Sequence, residues 1–237
     1  MSELLRYSTN NHILNALPYK DYQRLHPHLE NVNLVLGQII YRPNESIRYV
    51  YFPNNSMNSI IATTLDGQCA EIGVIGREGI VGVDVFMGVE SSSHKNIIQL
   101  ANGALRISTE EIRKEFNRAG ALQKMVLRYM HSFMMQISQT ALCNRLHLVD
   151  QRLSRWLLMC HDRSPSNELT LTQEFLSIML GVNRPIVTGA ARVLQGRKYI
   201  RYSRGNITIL DREGLEDFAC NCYQVVRDGN VILPQII

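Results

Sequence analysis

The chain is short of the features that mark most membrane proteins, secreted proteins and enzymes. Its 237 residues hold no uninterrupted apolar run approaching the length of a bilayer span, so no helical membrane anchor is expected. The opening stretch "MSELLRYSTNNH" has no apolar core and no small-residue cleavage pattern, so no secretory leader is expected either. Five cysteines, an odd number, are scattered without a CxxC pair. That excludes a disulfide scaffold and points to a reducing cytoplasm with mostly buried thiols. The glycines at 76, 79 and 82 are not followed by GK[ST], and HExxH and the nucleophile elbow are missing. No paired catalytic carboxylates stand out, so enzyme activity is not expected. Charge is also sparse, at 19% of residues, with a net charge of only +4. The molecule is no polycation, and any basic surface must come from where the charge is placed.

What is present is a globular composition, 45% apolar, in a chain long enough for one large or two modest domains. Three stretches differ in character. From about residue 36 to 107 the chain is rich in β-branched residues and glycine. Asp66-Gly67, between "SIIATTL" and "QCAEIGVI", predicts a hairpin because both positions tolerate positive φ. Short strands with such punctuation predict an antiparallel sandwich or roll.

From about 122 to 147 there is neither proline nor glycine, which predicts one long helix. Leu127, Met130, Met134, Ile137, Ala141 and Asn144 follow a 3-4-3-4-3 spacing along a single seam. Tyr129 and Phe133 lie on another face. Packing of the seam on the chain's own sheet is one reading. Two apolar faces on one helix call for two partners, so a homodimer is the better one.

The third stretch, from about 149, opens with "RLSRWLLMCHD", an amphipathic helix burying Leu153, Trp156, Leu157 and Cys160. "RSPSNEL" reads as a loop. In "LTQEFLSIMLGVNRPIVTGAARVLQ" the ends of two helices are legible. Thr172 is an N-cap, followed by Gln173; Gly181 supplies a left-handed turn residue; Asn183 caps a second helix. Pro185 falls in the first turn of that helix, where it starts rather than breaks it. Val187, Ala190, Ala191 and Leu194 form the inward stripe. Arg184, Thr188 and Arg192 recur every four residues on the other side. Gly189 costs such a helix about 1 kcal/mol relative to alanine, and its missing side chain allows another surface to approach. "YIRYSRGNITIL" then reads as a hairpin around Gly205-Asn206, flanked or occupied by Arg197, Lys198, Arg201 and Arg204. From Arg184 to Arg204 there are six basic side chains and no acid. A helix pair followed by a basic hairpin is the winged form of the helix-turn-helix, and its expected partner is double-stranded DNA.

A β-rich region, a long helix and a winged helix-turn-helix in this order resemble the Crp/Fnr family of bacterial transcription regulators over nearly the whole chain. "CNRLHLVDQRLSRWLLMCHD", "LTQEFLSIMLGVNRP" and "YIRYSRGNITILDREGLE" carry the resemblance. It implies an α+β chain in three parts: a cyclic-nucleotide-binding-like β-roll sensor over residues 1–121, a dimerisation helix over 122–148, and a DNA-binding domain over 149–237. It also implies a homodimer on a palindromic promoter site, with RNA polymerase as a further partner. The alternative is a small-molecule-binding protein whose helix-turn-helix serves protein contacts.

The chain departs from the family pattern at three places. Where many members carry a glutamate and, four residues on, a guanine-reading arginine, this chain has Pro185 and Gly189. Arg184, Thr188 and Arg192 remain to read the groove, so a different operator is expected. Cyclic-nucleotide binders of the family hold their ligand with a Gly-Glu segment and an Arg-Ser pair. Here "IGREGIVG" offers Gly76, Arg77 and Glu78, but Ser92 stands where the arginine is expected, followed by Ser93, His94 and Lys95. A buried phosphate without a guanidinium is hard to stabilise, so cyclic AMP is not the expected ligand and the effector is left unknown. Iron–sulfur sensing, known in the family, commonly uses cysteines near the N-terminus, and the first cysteine here is Cys69. Cys220 and Cys222 lack a visible second pair, and no two histidines are spaced i,i+4, so no metal site is expected.

Overall fold

The structure, a computed structural model, describes residues 9–230; most of the stretch behind the leader expectation, residues 1–8, lies outside them. The described residues group into two compact units. One is built from residues up to Ile60 together with Val74–Met134, the other from Ile61–Gly73 and Met135–Gly229.

The N-terminal strands are β1 (Glu30–Leu34), β2 (Ile39–Tyr41), β3 (Tyr49–Pro53), β4 (Met57–Thr63), β5 (Cys69–Ile75), β6 (Lys95–Leu100) and β7 (Asn102–Ser108). They make two sheets, ordered β1-β7-β3 and β2-β6-β4-β5. The pairs β1/β7, β3/β7 and β2/β6 are antiparallel. Alternation sets the faces: in β3, Val50 and Phe52 are fully buried while Tyr49 and Tyr51 are half-exposed. The β4–β5 turn includes the predicted Asp66-Gly67 but is a three-residue loop, Leu65 to Gly67, between Thr64 and Gln68. Of the expected pair Gly67 alone has positive φ (+86°), and its N–H donates to the Thr64 carbonyl at 3.0 Å.

Two short helices, α1 (His12–Asn15) and α2 (Tyr19–Leu25), precede the strands, and α3 (Thr109–Phe116) follows them. The long helix α4 spans Ala121–Leu146. It buries Leu122, Met125, Val126, Tyr129 and Phe133, the last two stacked with centroids 6.0 Å apart. Gly79 closes a turn with Gly76, its N–H donating to the Gly76 carbonyl at 3.0 Å, and it also makes room for a neighbour. A Cβ there would stand 2.4 Å from the Tyr129 hydroxyl, so its smallness is what lets the aromatic ring sit so close. Gly82, at φ +97°, is the left-handed residue of that segment.

In the second unit α5 (Val149–His161) packs against α6 (Gln173–Leu180), α7 (Arg184–Gly196) and α8 (Arg212–Phe218), and α9 (Cys222–Asn230) closes the described chain. The amphipathic reading of α5 is too simple. Leu153, Trp156, Leu157 and Cys160 are buried as expected, but so are Arg152, Ser154 and Arg155 on the remaining face. Each of these side chains has a specific acceptor. Arg155 donates to Thr140 Oγ1 at 2.8 Å, Ser154 to the Asp150 carbonyl at 2.9 Å, and Arg152 to the Leu180 carbonyl. The Trp156 indole N–H donates to the Glu71 carboxylate at 2.7 Å. Burial without such partners would cost several kcal/mol per charged group.

The strands β8 (Glu168–Thr170), β9 (Ile200–Ser203) and β10 (Asn206–Ile209) form a sheet ordered β8-β10-β9, all antiparallel. Glu168 and Leu169, read from sequence as loop, are in β8. Three residues carry no periodicity, and only their pairing with β10 makes them a strand. Among the described residues no helix is long and apolar enough to cross a membrane.

Candidate nucleic-acid interface

The two helices of the turn are set by local chemistry. Thr172 Oγ1 accepts from the Phe175 N–H at 3.1 Å and starts α6. Gly181 ends it at φ +62°. The Asn183 side chain accepts from the Ile186 N–H at 3.3 Å and starts α7, with Pro185 in the first turn. Each cap contributes about 1 kcal/mol. The inward stripe Val187, Ala190, Ala191 and Leu194 is buried throughout. Burying Val187 and Leu194 adds roughly 1.5–3 kcal/mol apiece, and this stripe fixes which face of α7 points outward.

That outward face is cationic. Arg184 and Arg192 are exposed, and Thr188 between them is half-buried with its hydroxyl donating to the Arg184 carbonyl at 3.0 Å. Gly189 is exposed, and a Cβ there would meet nothing within 4 Å. The first turn of α7 carries no acid. Its positive dipole end therefore adds to the arginine charge rather than being neutralised. One carboxylate answers: Glu174, in the first turn of α6, meets Arg184 at 2.8 Å, both side chains being well exposed.

The hairpin differs from the sequence reading by one residue. Its two central positions are Arg204 (φ +48°) and Gly205 (φ +80°), and Asn206 already pairs with Ser203 as the first residue of β10. A two-residue turn with positive φ at both positions matches the twist of the flanking strands, so the arginine takes the left-handed conformation at the tip. Thr172, Gln173, Tyr202, Arg204 and Gly205 line an open depression of about 380 Å³, which joins the start of α6 to this tip. The Tyr202 hydroxyl donates to the Leu171 carbonyl at 3.0 Å, and burial pushes its phenol above the ordinary value. Lys198, Arg201 and Arg204 are exposed. Arg197 is exposed too, but its guanidinium lies 4.6 Å over the Phe218 ring and is partly committed there.

The effector candidates are arranged differently from a phosphate cradle. The Glu78 carboxylate is buried and accepts from the Gly76 N–H at 3.0 Å, while Arg77 is exposed. Ser92 is buried; its hydroxyl donates to the His94 carbonyl at 2.8 Å and accepts from Asn96 Nδ2 at 3.3 Å. Its polar capacity is spent on its own turn. Ser93 is exposed, and His94 and Lys95 are half-buried. On α4, Leu127, Met134, Ala141 and Asn144 of the seam are exposed and Met130 and Ile137 half-buried.

Residues 151–218 match the family model of the Crp-like helix-turn-helix domain. Among curated proteins nothing matches the chain. Among solved structures it is similar to FixK2 of Bradyrhizobium japonicum, with a TM-score of 0.69 at 13% identity over 81% of this chain and 98% of that one. It is also similar to a CRP/FNR-family transcriptional regulator of Thermus thermophilus, with a TM-score of 0.61 at 17% identity over 80% and 98%. A third is the c-di-GMP-responsive global regulator CLP of Xanthomonas campestris, with a TM-score of 0.64 at 15% identity over 81% and 99%. At these identities the likeness is one of fold. The chain thus carries a Crp-like helix-turn-helix domain over residues 151–218 and shares the fold of these solved structures over most of its length.

Proposed function

We propose that the protein binds double-stranded DNA as a homodimer at a palindromic promoter site in the cytoplasm and regulates transcription there. The observation that carries this reading is the outward face of α7, where Arg184 and Arg192 stand in solvent around a bare Gly189. In this reading Arg184, Thr188 and Arg192 face base edges in the major groove, and Gly189 lets the duplex backbone or a base approach closely. Gln173, the capped starts of α6 and α7 at Thr172 and Asn183, and Lys198, Arg201 and Arg204 hold phosphates. Arg197, drawn over Phe218, contributes less.

The exposed α4 seam from Leu127 to Asn144 is the proposed dimer interface, and two copies of α7 then sit about 34 Å apart, one turn of duplex. Residues 1–121 take the sensor role, 122–148 the dimer role and 149–237 the DNA-binding role, with RNA polymerase as a further partner. Gly76, Arg77, Glu78 and Ser92–Lys95 are the proposed effector segment. Ser92, bonded to its own turn where a guanidinium would be needed, favours a signal other than a cyclic nucleotide.

The test is selection of bound sequences from a random DNA pool, followed by titration of the winner at several salt concentrations. The expected result is an inverted repeat with half-site centres one helical turn apart and affinity falling steeply with salt, as displaced counterions require. No binding at any salt concentration would overturn the reading.

A further inference from the structure

Cys143 and His147 sit one helical turn apart at the end of α4, on the same face; the His147 N–H donates to the Cys143 carbonyl at 3.1 Å. The connection between α8 and α9 brings Cys220 and Cys222 to that face. Ala219 leaves the helical conformation at φ −63°, ψ 155°, and turns both sulfurs inward. Cys143 Sγ lies 3.4 Å from Cys220 Sγ, and Cys222 Sγ lies 3.4 Å from His147 Nδ1. All four donor atoms fall within 4.8 Å of one another. The three cysteines are buried and free, and His147 is half-buried. The spacing that looked too poor for a metal in Cys220-x-Cys222 is completed by a Cys-x₃-His pair from another helix.

We propose that Cys143, His147, Cys220 and Cys222 form a closed tetrahedral site for a single Zn²⁺ ion, which clips the α8–α9 connection to the end of α4.

The donor set and its size select the ion. Three thiolates and an imidazole are soft to borderline donors, which disfavour Mg²⁺ and Ca²⁺. With zinc–sulfur bonds near 2.3 Å, tetrahedral donors stand roughly 3.5–3.8 Å apart, close to the 3.4 Å contacts found here. An iron–sulfur cluster would have to seat several irons among donors gathered this closely. Four protein ligands leave no open position, so the site is structural rather than catalytic. Two neighbours support it. Gln139 Nε2 donates to Cys222 Sγ at 3.0 Å and orients it from outside the donor set. The buried Arg155 guanidinium acts electrostatically on Cys143, offsetting the single negative charge that three thiolates leave on a divalent ion.

The experiment uses the full chain purified under reductant. Elemental analysis is expected to find about one zinc per chain. Replacement by Co²⁺ is expected to give the strong visible bands and near-ultraviolet sulfur-to-metal transition of tetrahedral thiolate coordination. Cys222→Ser and His147→Ala should each weaken binding at least tenfold, Gln139→Ala by roughly 10–100-fold, and Cys160→Ser, in α5, not at all. The cobalt titration of the unaltered chain decides the matter even if a variant fails to fold. Absence of both the zinc and the cobalt–thiolate spectrum would overturn the proposal, as would undiminished zinc in a Cys220→Ser/Cys222→Ser double variant. So would copper(I) in place of zinc, or a metal-free protein with Cys143 and Cys220 joined in a disulfide.

Discussion

The guanidinium of Arg184, on the face proposed to read DNA, is held 2.8 Å from the carboxylate of Glu174 on the preceding helix. Both groups are well exposed, so the pair adds only about 0–1 kcal/mol to stability. It matters more for binding, because the arginine must leave the carboxylate before it reaches a base. Glu174→Gln is expected to leave the melting temperature nearly unchanged and to raise DNA affinity severalfold, measured by fluorescence anisotropy. Unchanged affinity would show that Arg184 does not enter the groove.

Arg184 and Arg204 are expected to fail in different ways. Arg184→Ala should cost about 1–3 kcal/mol of binding and relax sequence preference at one position of each half-site. Arg204→Ala, at the hairpin tip, should weaken binding to all sequences alike and lower the salt slope by roughly one. Titrations against the selected site and a scrambled one at two salt concentrations separate these outcomes.

Gly189 offers a substitution in which stability and function should part. Nothing stands within 4 Å of a Cβ there, so Gly189→Ala is expected to stabilise α7 by about 0.5–1 kcal/mol. If the bare backbone serves close approach of the duplex, the same methyl should lower DNA affinity. Calorimetry and a binding titration on one preparation test both expectations.

On α4, Leu127 is 52% exposed and Met134 61%. Both side chains are thus more than half in solvent within one chain, and a charge at either would face its counterpart across the proposed dimer seam. Leu127→Glu and Met134→Glu are expected to give folded monomers in sedimentation experiments, with the two-half-site affinity gone. A dimer that survives both changes would place the interface elsewhere.

Tyr223 gives a pH prediction. Burial, and then the neighbouring Asp162 carboxylate, push its phenol up to about 12 from an ordinary value of 10.0. The folded chain therefore favours the protonated phenol. The stability this provides is complete below pH 10 and is lost as pH rises toward 12. Denaturant midpoints of Tyr223→Phe should fall less than those of the wild-type chain across that window.

How much of this was legible in the sequence depended on how local the cause is. The α6–turn–α7 unit was readable because its caps, its left-handed glycine and its apolar stripe lie within a few residues of what they control. The hairpin was readable but its turn fell one residue early, since Arg204 tolerates a conformation usually left to glycine or asparagine only because the pairing of β9 and β10 imposes it. Burial of Arg152 and Arg155 was not readable, because their acceptors belong to Leu180 and Thr140 on other helices. Nor was the gathering of Cys143 and His147 with Cys220 and Cys222, for Cys143 and Cys220 are 77 residues apart.

The two-residue turn at Arg204-Gly205 also fixes how far the hairpin extends. It has no slack to lengthen or swing, so its charged tip is a spacer of set height beside α7 rather than a flexible arm. In the proposed complex, lengthening that turn by even two glycines would loosen a ruler that sets the distance from the domain to a phosphate strand.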